Sequence, residues 1–177
     1  RIEVAPAAPF LTGHGGAVTP EFYAYTTNLA KSGAGIVTIG VTNVDQSARA
    51  GGLILAATWG YLSDLNDMAE GIQRYGAKAS IELVYSRYML MPPDRVVGET
   101  STEEVENIIQ NFAEAARVCK TAGFDMILIH GGHGNVPAMF YSKKYNHRTD
   151  RFGDRYRFGI ELLEAVREAV GPGFPIE

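Results

Sequence analysis

The chain has 177 residues, of which 46% are hydrophobic and 20% charged, with a formal net charge of −4 at pH 7. That length supports one ordinary domain with a real core, and the composition excludes a disordered chain. The acidic balance leaves no electrostatic footprint for nucleic acid, and the apolar runs are far too short to span a bilayer as helices.

The lone cysteine, Cys119, excludes an internal disulfide framework and a cysteine-rich metal site. It falls in a helical pattern and reads as core. One cysteine and no signal-peptide pattern fit a reducing cytoplasm, and the protein is expected to be cytoplasmic. The first residue is Arg1 rather than Met, and the last stretch, GPGFPIE, reads as the opening of a strand. Both ends are therefore expected to be cut.

In chain order, IEVAP (2–6) reads as a short strand. Thr19-Pro20-Glu21 marks a helix start, with an N-cap, a proline at the first helical position and an acid in the first turn. That helix is expected to run to about Lys31 and stop at Gly33. GIVTIGV (35–41) is a strand, 60–75 a helix, and AKASIELV (77–84) a strand. Ser101 and Glu104 form a capping box, which predicts a helix to about Thr121, ended at Gly123. FDMILI (124–129) is a strand, 155–170 a helix, and FPIE begins another strand.

The strands are almost uniformly apolar, as in a parallel sheet covered on both faces. An open doubly wound sheet and a TIM (β/α)8 barrel both fit the β-α repeat. Long segments of odd composition follow the strands, at 7–18, 42–59, 85–100 and 130–154, while the returns after helices are short. That asymmetry favours a barrel with its site at the C-terminal mouth. The expected fold class is α/β, a partial TIM barrel of about five parallel strands. Gly13-His14-Gly15-Gly16 lacks the spacing of a dinucleotide turn and reads as a flexible loop.

The fourth strand ends in IHGGHGN (129–135). His130 and His133 stand where such sheets place their chemistry, and the glycines allow a sharp bend. Two imidazole N–H groups aimed at one oxygen would polarise a carbonyl. A metal pair lacking its third ligand, a structural pair and a phosphate-binding turn are rival readings. The run Lys143, Lys144, Arg148, Arg151, Arg155, Arg157 is broken by Asp150 and Asp154 and reads as ion-paired loop and helix start, with Arg148 and Asp150 structural.

HGGHG at 130–134, followed by FYS (140–142) and NHRTD (146–150), resembles the old yellow enzyme family, in its NADH:flavin oxidoreductase / 2,4-dienoyl-CoA reductase-like branch. The resemblance extends over RIEVAPA, TPEFYAYTTNLAKSGAGIVTIG, RYGAKASIEL and AARVCKTAGFDMILIHGGHG. It implies that residues 1–177 are the N-terminal portion of a single FMN-binding TIM barrel. It also implies an oxidoreductase in which NADH or NADPH reduces FMN, and the flavin passes hydride to an enone or enoate. His130 and His133 match the pair that holds the substrate oxygen. Ala5, Pro6, Ala7, Val41 and Glu82 match positions beside the flavin, and Ala8 follows them. An amine dehydrogenase or demethylase-type relative, or a degenerate flavin-binding barrel without turnover, are the alternatives. The resemblance implies a small unsaturated carbonyl or carboxylate substrate, with no nucleic-acid or membrane partner. A homo-oligomer stays open, and a [4Fe-4S] cluster is expected only in segments C-terminal to this chain.

Several positions depart from the family pattern. Asn135 stands where many members carry the tyrosine that donates a proton, and an amide is no acid near neutral pH. Tyr85, Tyr88 and Tyr141 are the nearby hydroxyls that remain. Glu82 replaces a usual glutamine, and its charge would lower the flavin potential unless protonated or paired. The segment Phe152-Gly153-Asp154-Arg155 is shorter than usual. VYSRYMLMPP (84–93) departs from the family's third-strand loop.

Overall fold

A computed structural model describes residues 2–45, 55–88 and 91–177. In chain order they form β1 (Glu3–Val4), α1 (Pro20–Lys31), β2 (Ile36–Asn43), β3 (Leu55–Ala56), α2 (Leu62–Gln73), β4 (Lys78–Val84), α3 (Pro93–Glu99), α4 (Thr102–Thr121), β5 (Met126–Ile129), α5 (Val136–Tyr141) and α6 (Arg157–Val170). The helices start where their capping residues require. The Thr19 side chain accepts from the Phe22 amide, and the Ser101 hydroxyl accepts from the Glu104 amide. Helices α1, α2 and α4 end at the positive-φ glycines Gly33, Gly76 and Gly123, and Gly171 closes α6.

The sheet is parallel in the order β1-β2-β4-β5, with β3 pairing on β2. Each principal strand therefore lies beside the next one in the chain. A doubly wound sheet reverses its order at a switch point, and this one does not. The last residues continue the progression. Ile176 bridges Ile127 in parallel, and the Ile129 amide donates to the Glu177 carbonyl at 2.8 Å. The fold is α/β, a partial TIM barrel.

Two details differ from the expected strands. IEVAP contributes only Glu3–Val4, and the fifth strand of the sheet is β3 rather than FPIE. Leu55 and Ala56 are fully or nearly buried, but two residues are too few to show an alternating pattern. Of the loops expected to line the mouth, residues 46–54 of 42–59 and 89–90 of 85–100 lie outside the described residues.

Val37, Ile39, Ala79, Ile81, Leu83 and Ile127 pack beneath the helices against residues such as Phe22, Met68 and Phe112. Cys119 is in this core, and burial pushes its thiol up to about 12. The other pleat carries small and polar side chains, Thr38, Gly40, Ser80 and Glu82. Among the described residues no helix is long and apolar enough to cross a membrane.

The NHRTD segment is a structural staple. The Asn146 amide donates to the carbonyls of Phe140 and Phe152, both at 2.8 Å. The Arg148 guanidinium donates to the Val97 and Thr100 carbonyls and forks onto both oxygens of Asp150. Asp150 also accepts from Thr102 and from the Phe152 amide. These charge-assisted bonds hold the Asp150 carboxyl well below the usual carboxylate range. The staple ties the loop after β5 to the start of α4. Replacing Arg148 by Met should strip Asp150 of its charged partner and two carbonyls of their guanidinium donor, and cost about 3 kcal/mol. Urea denaturation reads this, and a loss below about 1 kcal/mol would contradict the assignment.

Candidate active site

The candidate residues meet at the C-terminal ends of the strands. His130 directly follows β5, and its amide donates to the Leu83 carbonyl at 3.1 Å, which keeps it beside the end of β4. Glu82 lies two residues before the end of β4 and is only 4% exposed. Gly40 of β2 faces it. A Cβ added at Gly40 would come within 2.6 Å of Glu82 Oε2 and 2.9 Å of Pro6 Cβ. Only glycine lets the first strand's extension and the Glu82 side chain close over this point. The register between β2 and β4 shifts between Ile39 and Thr42, and Val41 sits in that irregularity. Ala5 and Ala7 are exposed, while Pro6 and Val41 are partly so. The structure thus brings Pro6, the Gly40-Val41 step, Glu82 and His130 together.

Nδ1 of His130 lies 2.8 Å from Glu82 Oε1. Nε2 of the same ring lies 3.0 Å from Nδ1 of His133. The ring centroids are 5.0 Å apart with the planes 29° from parallel. His133 is folded back by its own left-handed backbone, φ 51°, followed by Gly134 at φ 71°. A left-handed non-glycine residue at a strand end is strained backbone of the kind found at functional sites. The arrangement differs from two N–H groups converging on a third atom, because the inner nitrogens of the two rings face each other. Glu82 is paired, with Oε1 engaged by His130.

Burial raises the Glu82 carboxyl above its ordinary range, opposed by the nearby His133. Burial also lowers His130, helped by repulsion from His133. Each shift disfavours the charged form.

Asn135 is 3% exposed and forms the N-cap of α5. Its backbone N–H donates to the Gly132 carbonyl at 2.9 Å, but its side-chain Oδ1 is buried without a hydrogen-bond partner. Two of the nearby tyrosine hydroxyls are engaged elsewhere. The hydroxyls of Tyr85 and Tyr88 reach Glu104 Oε1 at 3.4 Å and 3.5 Å, and burial pushes the Tyr85 phenol up, away from acidity. Tyr141 packs edge-on against Tyr156 with Arg155 over its ring. Among the described residues no group of three or more His, Cys, Asp and Glu side chains is placed to hold a metal ion.

A model of the NADH:flavin oxidoreductase / NADH oxidase family matches residues 93–176, which include both histidines and the Arg148 staple. Over that stretch the chain is similar to members of this family. It is 33% identical to a metal reductase of Desulforamulus reducens over 91% of this chain and 27% of that protein. It is 31% identical to a probable NADH-dependent flavin oxidoreductase of Bacillus subtilis over 96% of this chain and 51% of the relative. The old yellow enzyme of a Pichia species shares its fold, with a TM-score of 0.86 at 19% identity, over 99% of this chain and 54% of that one. The chain spans between about a quarter and a half of the length of these relatives.

The pairing of Glu82 with His130 was not legible in the sequence, because the two residues come from different strands. The apolar run ending in two histidines located one member only. The opposed shifts make stability depend on pH in two senses. Glu82 holds its proton more tightly when folded, so its contribution is present below 4.5 and is lost as pH rises through the elevated value. His130 holds its proton less tightly when folded, so its contribution is present above 6.5 and is lost as pH falls through the lowered value. In melting experiments, Glu82→Gln should therefore gain on the parent as pH rises from 4.5, and His130→Asn should gain as pH falls from 6.5. Differences that stay flat with pH would contradict the shifts.

Proposed function

We propose that residues 1–177 are the N-terminal portion of a single FMN-binding barrel domain in an NAD(P)H-driven oxidoreductase that reduces an activated C=C bond. The observation that carries this reading is the His130–His133 pair at the end of β5, set beside buried Glu82 and the Pro6–Gly40 approach. The family match supports the flavin and the reductant. A cinnamate reductase of Clostridium sporogenes, 29% identical over 88% of this chain, supports the substrate class by its name alone.

The residues present fit the ring end of FMN. Ala5, Pro6, Ala7 and Val41 offer small apolar surface that is open or half-open, and Gly40 adds no side chain to obstruct it. Glu82 Oε2 is the polar side-chain atom left for its edge, because Oε1 and both ring nitrogens of His130 are engaged. None of Ala5, Pro6, Ala7, Val41 and Glu82 carries a positive charge, so they account for the ring and not for the phosphate. When bound, FMN supplies hydride to the β-carbon of the substrate.

The chain's own residues orient and polarise. His133 is exposed and held by His130, so its outer nitrogen, Nε2, is the imidazole atom available to a substrate oxygen. With that nitrogen protonated, its N–H withdraws electron density from an enone carbonyl and leaves the β-carbon electrophilic. With it unprotonated, the same nitrogen is a base, and this favours oxidation of an amine as the second reading.

Anaerobic reduction of the flavin in the intact protein, followed by 2-cyclohexenone, separates the two. Reoxidation should be seen by absorbance, and His133→Ala should slow it about 100-fold. A bound flavin that stays reduced with the enone, yet is reduced by amines, would favour the second reading.

A further inference from the structure

We propose that Glu82, His130 and His133 form one proton relay, and that its outer end, Nε2 of His133, delivers the proton a reduced substrate needs. This rests on the C=C-reducing reading above. The need arises because the family resemblance would put its tyrosine proton donor at the position of Asn135. Its side chain is buried, its oxygen lacks a partner, and an amide has no proton to give near neutral pH. Tyr85 and Tyr88 lie on Glu104, and Tyr141 packs on Tyr156.

The contacts fix the proton arrangement. Glu82 Oε1 to His130 Nδ1 is 2.8 Å, and His130 Nε2 to His133 Nδ1 is 3.0 Å. Each contact holds one proton. With Glu82 ionised, both rings carry hydrogen on Nδ1, and the outer nitrogen of His133 is a bare lone pair. One further proton makes the relay neutral overall, and it can be written in two forms. In one, His133 is an imidazolium and Glu82 a carboxylate. In the other, Glu82 is a carboxylic acid and both rings carry hydrogen on Nε2. Both forms present an N–H at the outer end. A carboxylate that is 4% exposed favours the neutral pair of forms, since an unpaired buried charge is costly. Glu82 is thus a positioning residue and proton reservoir, and His133 is the group that touches substrate.

The step balances with the hydride donor already named, reduced flavin. Hydride arrives at the β-carbon, and the π pair of the C=C bond moves to the α-carbon and carbonyl oxygen. The His133 N–H bond breaks, a C–H bond forms at the α-carbon, and the relay is left with Glu82 ionised. Solvent at exposed His133 restores the proton. Among the described residues, the charge acting on both Glu82 and His130 is that of His133, itself a member of the relay. β2 faces it with Gly40, and the extension of β1 faces it with Pro6.

The test uses the intact flavin-loaded protein with 15N-labelled histidine. Long-range proton–nitrogen NMR follows the ring nitrogens of His130 and His133 from the carboxylate range to above the imidazole range. The expected result is one shared titration of both rings. Its midpoint should fall by about one pH unit or more in Glu82→Gln, which keeps an oxygen acceptor for His130 Nδ1 but cannot carry the compensating charge. The high-pH limb of cyclohexenone-driven flavin reoxidation should move down with it. Independent titrations of the rings, or a shared midpoint unmoved in Glu82→Gln, would overturn the relay even where the enone is still reduced. A shared, shifted titration in a protein that never reduces the enone supports the relay and counts instead against the C=C-reducing reading.

Discussion

A carboxyl group withdrawn from water must keep its proton or find a donor, and Glu82 finds one in Nδ1 of His130. Much of the site follows from that contact. It fixes which nitrogen of His130 faces inward, and so which faces His133. It requires Gly40 on the neighbouring strand, because any side chain there would meet the Glu82 oxygen and the Pro6 ring. It also requires the end of β5 to stay in register with β4, which the His130 amide secures on the Leu83 carbonyl. A carboxyl at this point of β4 therefore reaches beyond local charge. It converts a pair of surface imidazoles into the end of a line that starts inside the sheet.

The loops around this line are held by few but strongly engaged polar groups. Arg148, Asp150 and Asn146 saturate backbone carbonyls and amides contributed by three separate segments. Glu104 gathers Arg87 and the hydroxyls of Tyr85 and Tyr88 at the start of α4. Such groups position a loop without filling the cavity it borders, which suits the rim of a site whose centre must stay open.

Helices were the most legible elements, because Thr19, Ser101 and the closing glycines carry their own boundary chemistry. The barrel was legible in the alternation of short returns and long mouth segments, and the unreversed strand order agrees with it. The short helices α3 and α5 escaped notice, since seven and six residues give too little periodicity. β3 escaped for the same reason. His130 and His133 could be placed at a strand's end from sequence, but not their mutual orientation, which depends on the left-handed backbone of His133. The Glu82 contact is a matter of strand register, and the irregularity at Val41 leaves no mark in the composition of β2.

The unreversed strand order also bears on how the chain acquires its structure. Apart from the two-residue β3, every seam of the sheet joins a strand to the one made just before it, so each β-α unit has its docking edge ready when it leaves the ribosome. Loop-closure entropy is met one unit at a time rather than across the whole chain. The sheet can therefore be assembled from its N-terminal side in the order of translation, with the edge of β5 receiving Ile176 in turn.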